Sequence, residues 1–223
     1  MPPAEDTVIA VTTAAERAAP VRVGFVLHVM QVAGAEVLVA ETIRRLGARI
    51  EPVVLCLDAV GALGAIVQAE GVEVVAFDRQ PGLDLGVARR MARVIRARRL
   101  QVLHAHQYTP FFYGAIAARL ARVGTRVVFT EHGRHYPDVV SAKRRLVNRL
   151  VLRHLADRIT SVSDFGARAL ADHDGFVGRP IEVIENGIDP ERYEPAGDRD
   201  ALRARLGLAA SRRYVAAIAR FHP

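Results

Sequence analysis

The chain has 223 residues, 51% of them hydrophobic, and a net charge of +7 from 31 basic and 24 acidic side chains. That length is long for one ordinary domain and short for two, with enough apolar residues for a sizeable buried core. No run approaches the roughly 18 unbroken apolar residues of a membrane-crossing helix, and a single cysteine, Cys56, excludes a disulfide within the chain.

The opening "MPPAEDTVIAVTTAAERAAP" lacks a basic start followed by a long apolar segment, so residues 1–20 read as a loose tail and not as a signal peptide. "VRVGFVLHV" (Val21 to Val29) predicts the first strand, and apolar residues at helical spacing predict a helix from Gly34 to Gly47. "EPVVLCLD" is the second strand, with Cys56 as a small buried hydrophobe; a short helix from Ala62 to Glu70 follows. "VEVVAFD" is the third strand, then a helix from Leu85 to Arg99. "QVLHAH" and "TRVVFTEH" are the fourth and fifth strands, separated by the helix "PFFYGAIAARLAR". A helix from Ala142 to Ala156 precedes "RITSVS", and one from Asp164 to Asp172 precedes "IEVIENG". Seven strand-like runs alternating with helices predict an α/β, Rossmann-like, doubly wound parallel sheet over residues 21–198. Beyond it, "DALRARLGL" reads as a helix and "RYVAAIARFHP" as one strand, so residues 199–223 are expected to open a second domain.

In an open α/β sheet, ligands bind beyond the carboxyl ends of the strands. After the first strand, "MQVAGAEV" places Gly34 where a helix begins, leaving backbone N–H groups free to face an anion such as a diphosphate. The fingerprint G-x-G-x-x-G is absent, which argues against a dinucleotide-dependent oxidoreductase. Asp58 ends the second strand, where a ribose-binding acid can sit. His104 and His106 share one side of the fourth strand. Zinc would need further ligands, so no metal is expected. His104 reads as support for the strand end, and His106, followed by Gln107 and Tyr108, as a cleft residue. Glu131, His132, Arg134 and His135 crowd the loop after the fifth strand, where a histidine of near-neutral pKa can donate to a sugar hydroxyl or exchange a proton.

The basic residues are almost all arginine, with Lys143 the only lysine. Arginine forks suit phosphates and carboxylates. Arg89, Arg93 and Arg96 form a stripe on one predicted helix, and Arg145 and Arg149 line up on another. Such helices can rest on an anionic membrane. A solvated face over a buried apolar stripe is the simpler reading of both. No motif for nucleic acid is present.

In series, "AGAE", "HAHQ", "TEHG", "SVSDF", "VIENGID" and "ARFHP" resemble the motif order of the family-4 glycosyltransferases of the GT-B fold, from Val21 to Pro223. The resemblance implies the amino-terminal, acceptor-side half of a two-domain enzyme. Such an enzyme would transfer a sugar, with retention of configuration, from a nucleotide-sugar donor to a saccharide or lipid-linked acceptor. It implies Gly34 and Arg220 at the donor diphosphate, His132 beside the transferring sugar, and His106, Gln107, Tyr108, Glu131 and Arg134 toward the acceptor. No cofactor or metal is implied. A bacterial enzyme of polysaccharide or glycolipid synthesis fits, cytoplasmic and peripheral at the inner membrane face through Arg89, Arg93 and Arg96.

Ala33 replaces the first glycine of the family's usual pair, and Ala219 the glycine before Arg220. The chain stops before the lysine and the Glu-x7-Glu segment that follow in the family, so an amino-terminal fragment with little activity of its own is expected. The alternatives are a non-catalytic module binding an anionic lipid or saccharide, and a GT-B sugar-nucleotide epimerase.

Overall fold

The computed structural model describes residues 19–133, 140–190, 197–209 and 211–216. Within them the strands are β1 (Val21–Val29), β2 (Ile50–Ala59), β3 (Glu73–Ala76), β4 (Val102–His106), β5 (Arg126–Glu131), β6 (Arg158–Ser161) and β7 (Glu182–Val183). All six pairings are parallel, in the order β3-β2-β1-β4-β5-β6-β7. The helices are α1 (Gly34–Leu46), α2 (Ala62–Ala69), α3 (Leu85–Ala97), α4 (Tyr108–Ala121), α5 (Ala142–Leu150), α6 (Asp164–Asp172) and α7 (Arg199–Arg205).

Alternation along the strands sorts side chains between two cores. In β2, Val54 and Cys56 join α1 and α2 on one face, while Val53, Leu55 and Leu57 join α3 and α4 on the other. Strands covered on both sides read as continuous apolar runs, which is why the sheet is visible in the sequence. Burial pushes the Cys56 thiol up to about 11, so it behaves as a hydrophobe. The strand order reverses between β1 and β4, and the crevice at that switch point is where such a sheet receives a ligand. Gly61 closes the loop after β2 with φ of 75°, and a Cβ there would stand 2.5 Å from the Met30 carbonyl oxygen. Only glycine lets the loops after β1 and β2 meet so closely.

Several boundaries differ from the sequence expectation. Helix α4 starts directly after Gln107, whose φ of 71° and ψ of 165° turn the chain sharply out of β4. Helix α5 stops at Leu150 because Val151 leaves helical geometry, and Leu152–His154 form a separate 3-10 turn. The edge strand β7 has only two residues. The chain divides into two compact units between Asn186 and Gly187, ahead of the boundary expected at residue 198. In the second unit α7 forms, with its N-cap Asp198 accepting from the Asp200 N–H, whereas residues 213–216 adopt no regular structure. The rest of that expected strand lies outside the described residues, as do residues 1–18.

Candidate active site

Three imidazoles meet at the carboxyl ends of β4 and β5. His104 and His106 lie on the same face of β4, their ring centroids 4.1 Å apart, with Phe25 of β1 beside both. Parallel register sets His106 beside Thr130, which brings the start of the next loop alongside. There His106 Nδ1 and His132 Nε2 share a hydrogen bond of 2.7 Å. His104 Nε2 hydrogen-bonds Thr130 Oγ1 at 2.7 Å, and Thr130 continues to Thr160 Oγ1 on β6 at 2.7 Å.

Burial sets the charge of this group. It pushes His104 and His132 down to about 4, with His132 adding repulsion at His104. His106 falls well below its ordinary value for the same reason, reinforced by both neighbours. All three are therefore neutral near pH 7, able to donate or accept hydrogen bonds without bringing charge. The buried His106 Nε2 has no hydrogen-bond partner in the structure. An unsatisfied buried polar atom costs on the order of 1–3 kcal/mol, a cost that a polar ligand group entering the crevice would remove.

The residues around the histidines divide into support and frame. Glu131 is buried, and its Oε1 accepts from the Gly133 N–H at 3.3 Å. Gln107 sits in a backbone region that is essentially reserved for glycine, and its N–H donates to the Thr130 carbonyl. Strain of this kind is worth about 1–3 kcal/mol and gathers at functional sites. Tyr108, expected to face an acceptor, instead donates its hydroxyl to Asn148 Oδ1 at 2.7 Å, and the Arg144 guanidinium lies 3.6 Å over its ring. Arg134, His135 and Arg220 lie outside the described residues.

Gly34 is the first residue of α1 and is exposed. A Cβ at Gly34 would meet nothing within 4 Å, so the fold itself does not require glycine there. Its N-cap, Ala33, is extended and makes no side-chain cap. The first-turn N–H groups are thus presented to an approaching anion, with the helix dipole behind them.

A second polar cluster was invisible as a motif. Asp58 at the end of β2 accepts from Arg79 Nε at 2.8 Å and Nη2 at 3.3 Å, and is 3.2 Å from His28 Nδ1 at the end of β1. Burial opposes the charge on Asp58, but donation from Arg79 and His28 prevails and holds the carboxyl below its usual range. His28 and Arg79 are isolated letters in the sequence. Their only signal is position, since each follows or ends a strand of the same sheet.

On α3, Arg89 and Arg93 are exposed while Val87, Ala88, Met91, Ala92 and Ile95 are buried. Arg96 donates to the Ala121 and Leu120 carbonyls, closing the end of α4. This helix therefore offers charge to the outside but no apolar face. Among the described residues no helix is long and apolar enough to cross a membrane, and no group of three or more His, Cys, Asp or Glu is arranged to hold a metal ion.

The model of Glycosyltransferase Family 4 matches residues 32–192, well over half of the chain. The chain belongs to Glycosyltransferase Family 4. The matched span contains Gly34, the β4 histidines and His132, so the residues at the crevice are the family's own region. Among curated relatives, EpsF of Bacillus subtilis strain 168, named as a glycosyltransferase, is 31% identical over 125 residues, 54% of this chain and 32% of its own length. A D-inositol 3-phosphate glycosyltransferase of Nocardiopsis dassonvillei is 33% identical over 117 residues, 49% of this chain and 27% of its own. The chain's matches thus span about a third or less of these relatives.

The solved structures agree on the fold of this family-4 chain. A glycosyltransferase from Rickettsia africae superposes with a TM-score of 0.68 at 16% identity, covering 86% of this chain and 51% of the other. Anabaena Alr3699/HepE, crystallised with UDP and glucose, gives 0.66 at 22% identity, covering 83% and 50%.

Proposed function

We propose that this chain supplies the acceptor side of a retaining glycosyltransferase that moves a sugar from a nucleotide-sugar donor to a saccharide or lipid-linked acceptor. The observation that carries the proposal is the direct His106–His132 contact at the crevice of a sheet matched by the Family 4 model. Anabaena HepE with UDP and glucose, or with UDP-glucose, supports a nucleotide sugar as donor, and the inositol-phosphate relative supports a hydroxyl-rich acceptor.

In this reading the donor diphosphate approaches the N-terminus of α1 at Gly34, where N–H groups and dipole favour anionic oxygens. Arg220 provides the cation that stabilises charge on the departing diphosphate as the anomeric C–O bond breaks. His132 lies beside the transferring sugar and His106 toward the acceptor hydroxyl, whose oxygen bonds to the anomeric carbon as its proton passes to the departing diphosphate. Because both imidazoles are neutral, they orient hydroxyls by hydrogen bonding. His104 supports His106, Glu131 holds the Gly133 turn, and Gln107 and Arg134 frame the acceptor. Tyr108 contributes through its hold on Asn148. The chemistry calls for no metal or cofactor. A bacterial, cytoplasmic enzyme of polysaccharide or glycolipid synthesis, peripheral at the membrane, fits the reading.

The test is a transfer assay on the full-length protein with a panel of nucleotide sugars and saccharide or lipid-linked acceptors. Transfer that is lost in Gly34→Val, with thermal unfolding unchanged, is the expected result. Donor affinity and turnover unaffected by Gly34→Val would overturn the diphosphate assignment, and no transfer from any nucleotide sugar would overturn the function.

A further inference from the structure

The amino ends of the strands, on the edge of the sheet away from the histidines, carry an unbalanced charge. Arg22 lies at the start of β1, Gln101 just ahead of β4, and Arg126 opens β5, and these three strands are neighbours. A cavity of about 830 Å³ sits there, lined by Arg22, Arg96, Arg99 and Arg126 with Leu100 and Val123. Among the described residues no carboxylate lines it, and none of the four arginines is ion-paired. Other arginines of the chain behave differently: Arg44, Arg79 and Arg144 each meet a carboxylate within 3.4 Å. A neighbouring cavity that shares Arg22 is balanced, since Glu51 and Glu73 line it, and Arg98 Nε stands 2.8 Å from Glu73 Oε2.

Backbone contacts hold the four arginines in place. Gln101 accepts from the Arg22 N–H through Oε1 at 3.0 Å, donates its own N–H to the Arg22 carbonyl, and accepts from the Arg126 N–H. One residue thus ties the starts of β1, β4 and β5 together. Arg22 Nε donates to the Arg99 carbonyl at 2.9 Å, and Arg96 donates to the Ala121 and Leu120 carbonyls. Arg99 has φ of 48° directly after Arg98, the C-cap of α3. Glycine is the ordinary choice at that position, and a left-handed backbone in another residue is a strain that gathers at functional sites.

We propose that this cavity is a second anion site, which binds a small molecule carrying two or more linked phosphates. Cations fixed around a concave surface without counter-charge raise the local potential and concentrate anions. Guanidinium forks match phosphate oxygens in pairs. One phosphate can engage one or two forks, whereas linked phosphates can reach arginines from β1, β5 and the end of α3 together. The site is separated from His106 by the length of β4, roughly 13 Å. It goes beyond the transfer reaction and does not depend on it.

The experiment is isothermal titration calorimetry of the full chain with inorganic pyrophosphate, inorganic triphosphate, monophosphate and sulfate at matched ionic strength. Pyrophosphate and triphosphate are expected to bind at least about tenfold more tightly than the single anions, the scale of one further charge-assisted contact. Arg126→Gln changes an exposed side chain while its backbone tie to Gln101 stays, and it should weaken pyrophosphate binding by about tenfold. Arg22→Gln with Arg126→Gln should weaken it by about 100-fold. Should the double variant lose its native circular dichroism spectrum, Arg126→Gln alone decides. Gly34→Val, at the other edge of the sheet, should leave the affinity within about twofold. Binding of pyrophosphate no tighter than that of sulfate overturns the proposal. So does pyrophosphate binding that Gly34→Val abolishes and Arg126→Gln leaves unchanged, which would place the anion in the crevice.

Discussion

At the carboxyl ends of β4 and β5, three uncharged imidazoles pack together, His106 hydrogen-bonded to His132 and His104 to Thr130. At the ends of β1 and β2, the next strands along the same edge, His28, Asp58 and Arg79 form a charged, part-exposed cluster. Burial explains the contrast. Removing an ionised group from water is costly unless it is paired, so the three deep imidazoles stay neutral while the shallow cluster keeps paired charges.

The sharpest way to break that comparison is to remove the deep half. In the transfer assay of the proposed function, His132→Ala is expected to lower kcat by about 100-fold or more, the scale of a positioned group at a reacting centre. His104→Ala should cost less than about tenfold in kcat and act mainly on stability. Steady-state kinetics showing the reverse order would sink the assignment of His132. Removing charge from the shallow half should act on stability instead. Asp58→Asn weakens the pairing with Arg79 and His28 and is expected to cost about 1 kcal/mol in denaturant titrations with kcat within about twofold. A large fall in kcat with stability unchanged would place Asp58 with the reacting groups.

Acid separates the halves by stability. The imidazoles titrate lower in the folded protein than the unfolded value of about 6.5, so the unfolded chain takes up protons first as pH falls. Stability that is complete above about pH 6.5 should therefore decline toward pH 4. Urea midpoints across that window should fall less steeply in His104→Gln, where His106 and His132 still titrate, but keep their slope in Asp58→Asn. The depressed Asp58 carboxyl contributes stability that is present above its unfolded pKa of about 3.9 and is lost only below it. The smallest effect is expected at the joint between strand and helix. Gln107→Gly should relieve backbone strain and raise stability by about 1 kcal/mol in denaturant titrations, and a loss of stability would mean that the Gln107 side chain matters more than its backbone.

The sequence makes the sheet legible because buried parallel strands are unbroken β-branched runs; β4 ends where "HAH" ends, and β5 ends at Glu131, one residue before the end of "TEH". The meeting of His106 with His132 follows from parallel register once those strands are neighbours. Tyr108 is different: its partner Asn148 is 40 positions away, and no local pattern pairs a helix start with a buried amide. The orientation of α5 is hidden for a related reason. Periodicity reveals that a helix has an apolar stripe, but not which side faces inward, and here a single asparagine decides it. His28 and Arg79 carry no motif and come together with Asp58 only when the strand ends are aligned.

Asn148 also sets a distance. Its side chain ties α5 to Tyr108 on one side and to the backbone at Asp174 on the other, and Tyr108 is two residues from His106. A helix pinned on its inner side in this way resists rolling about its axis. The position of the imidazoles relative to the outer face of α5 is then fixed by one amide, much as the height of a shelf is fixed by its bracket.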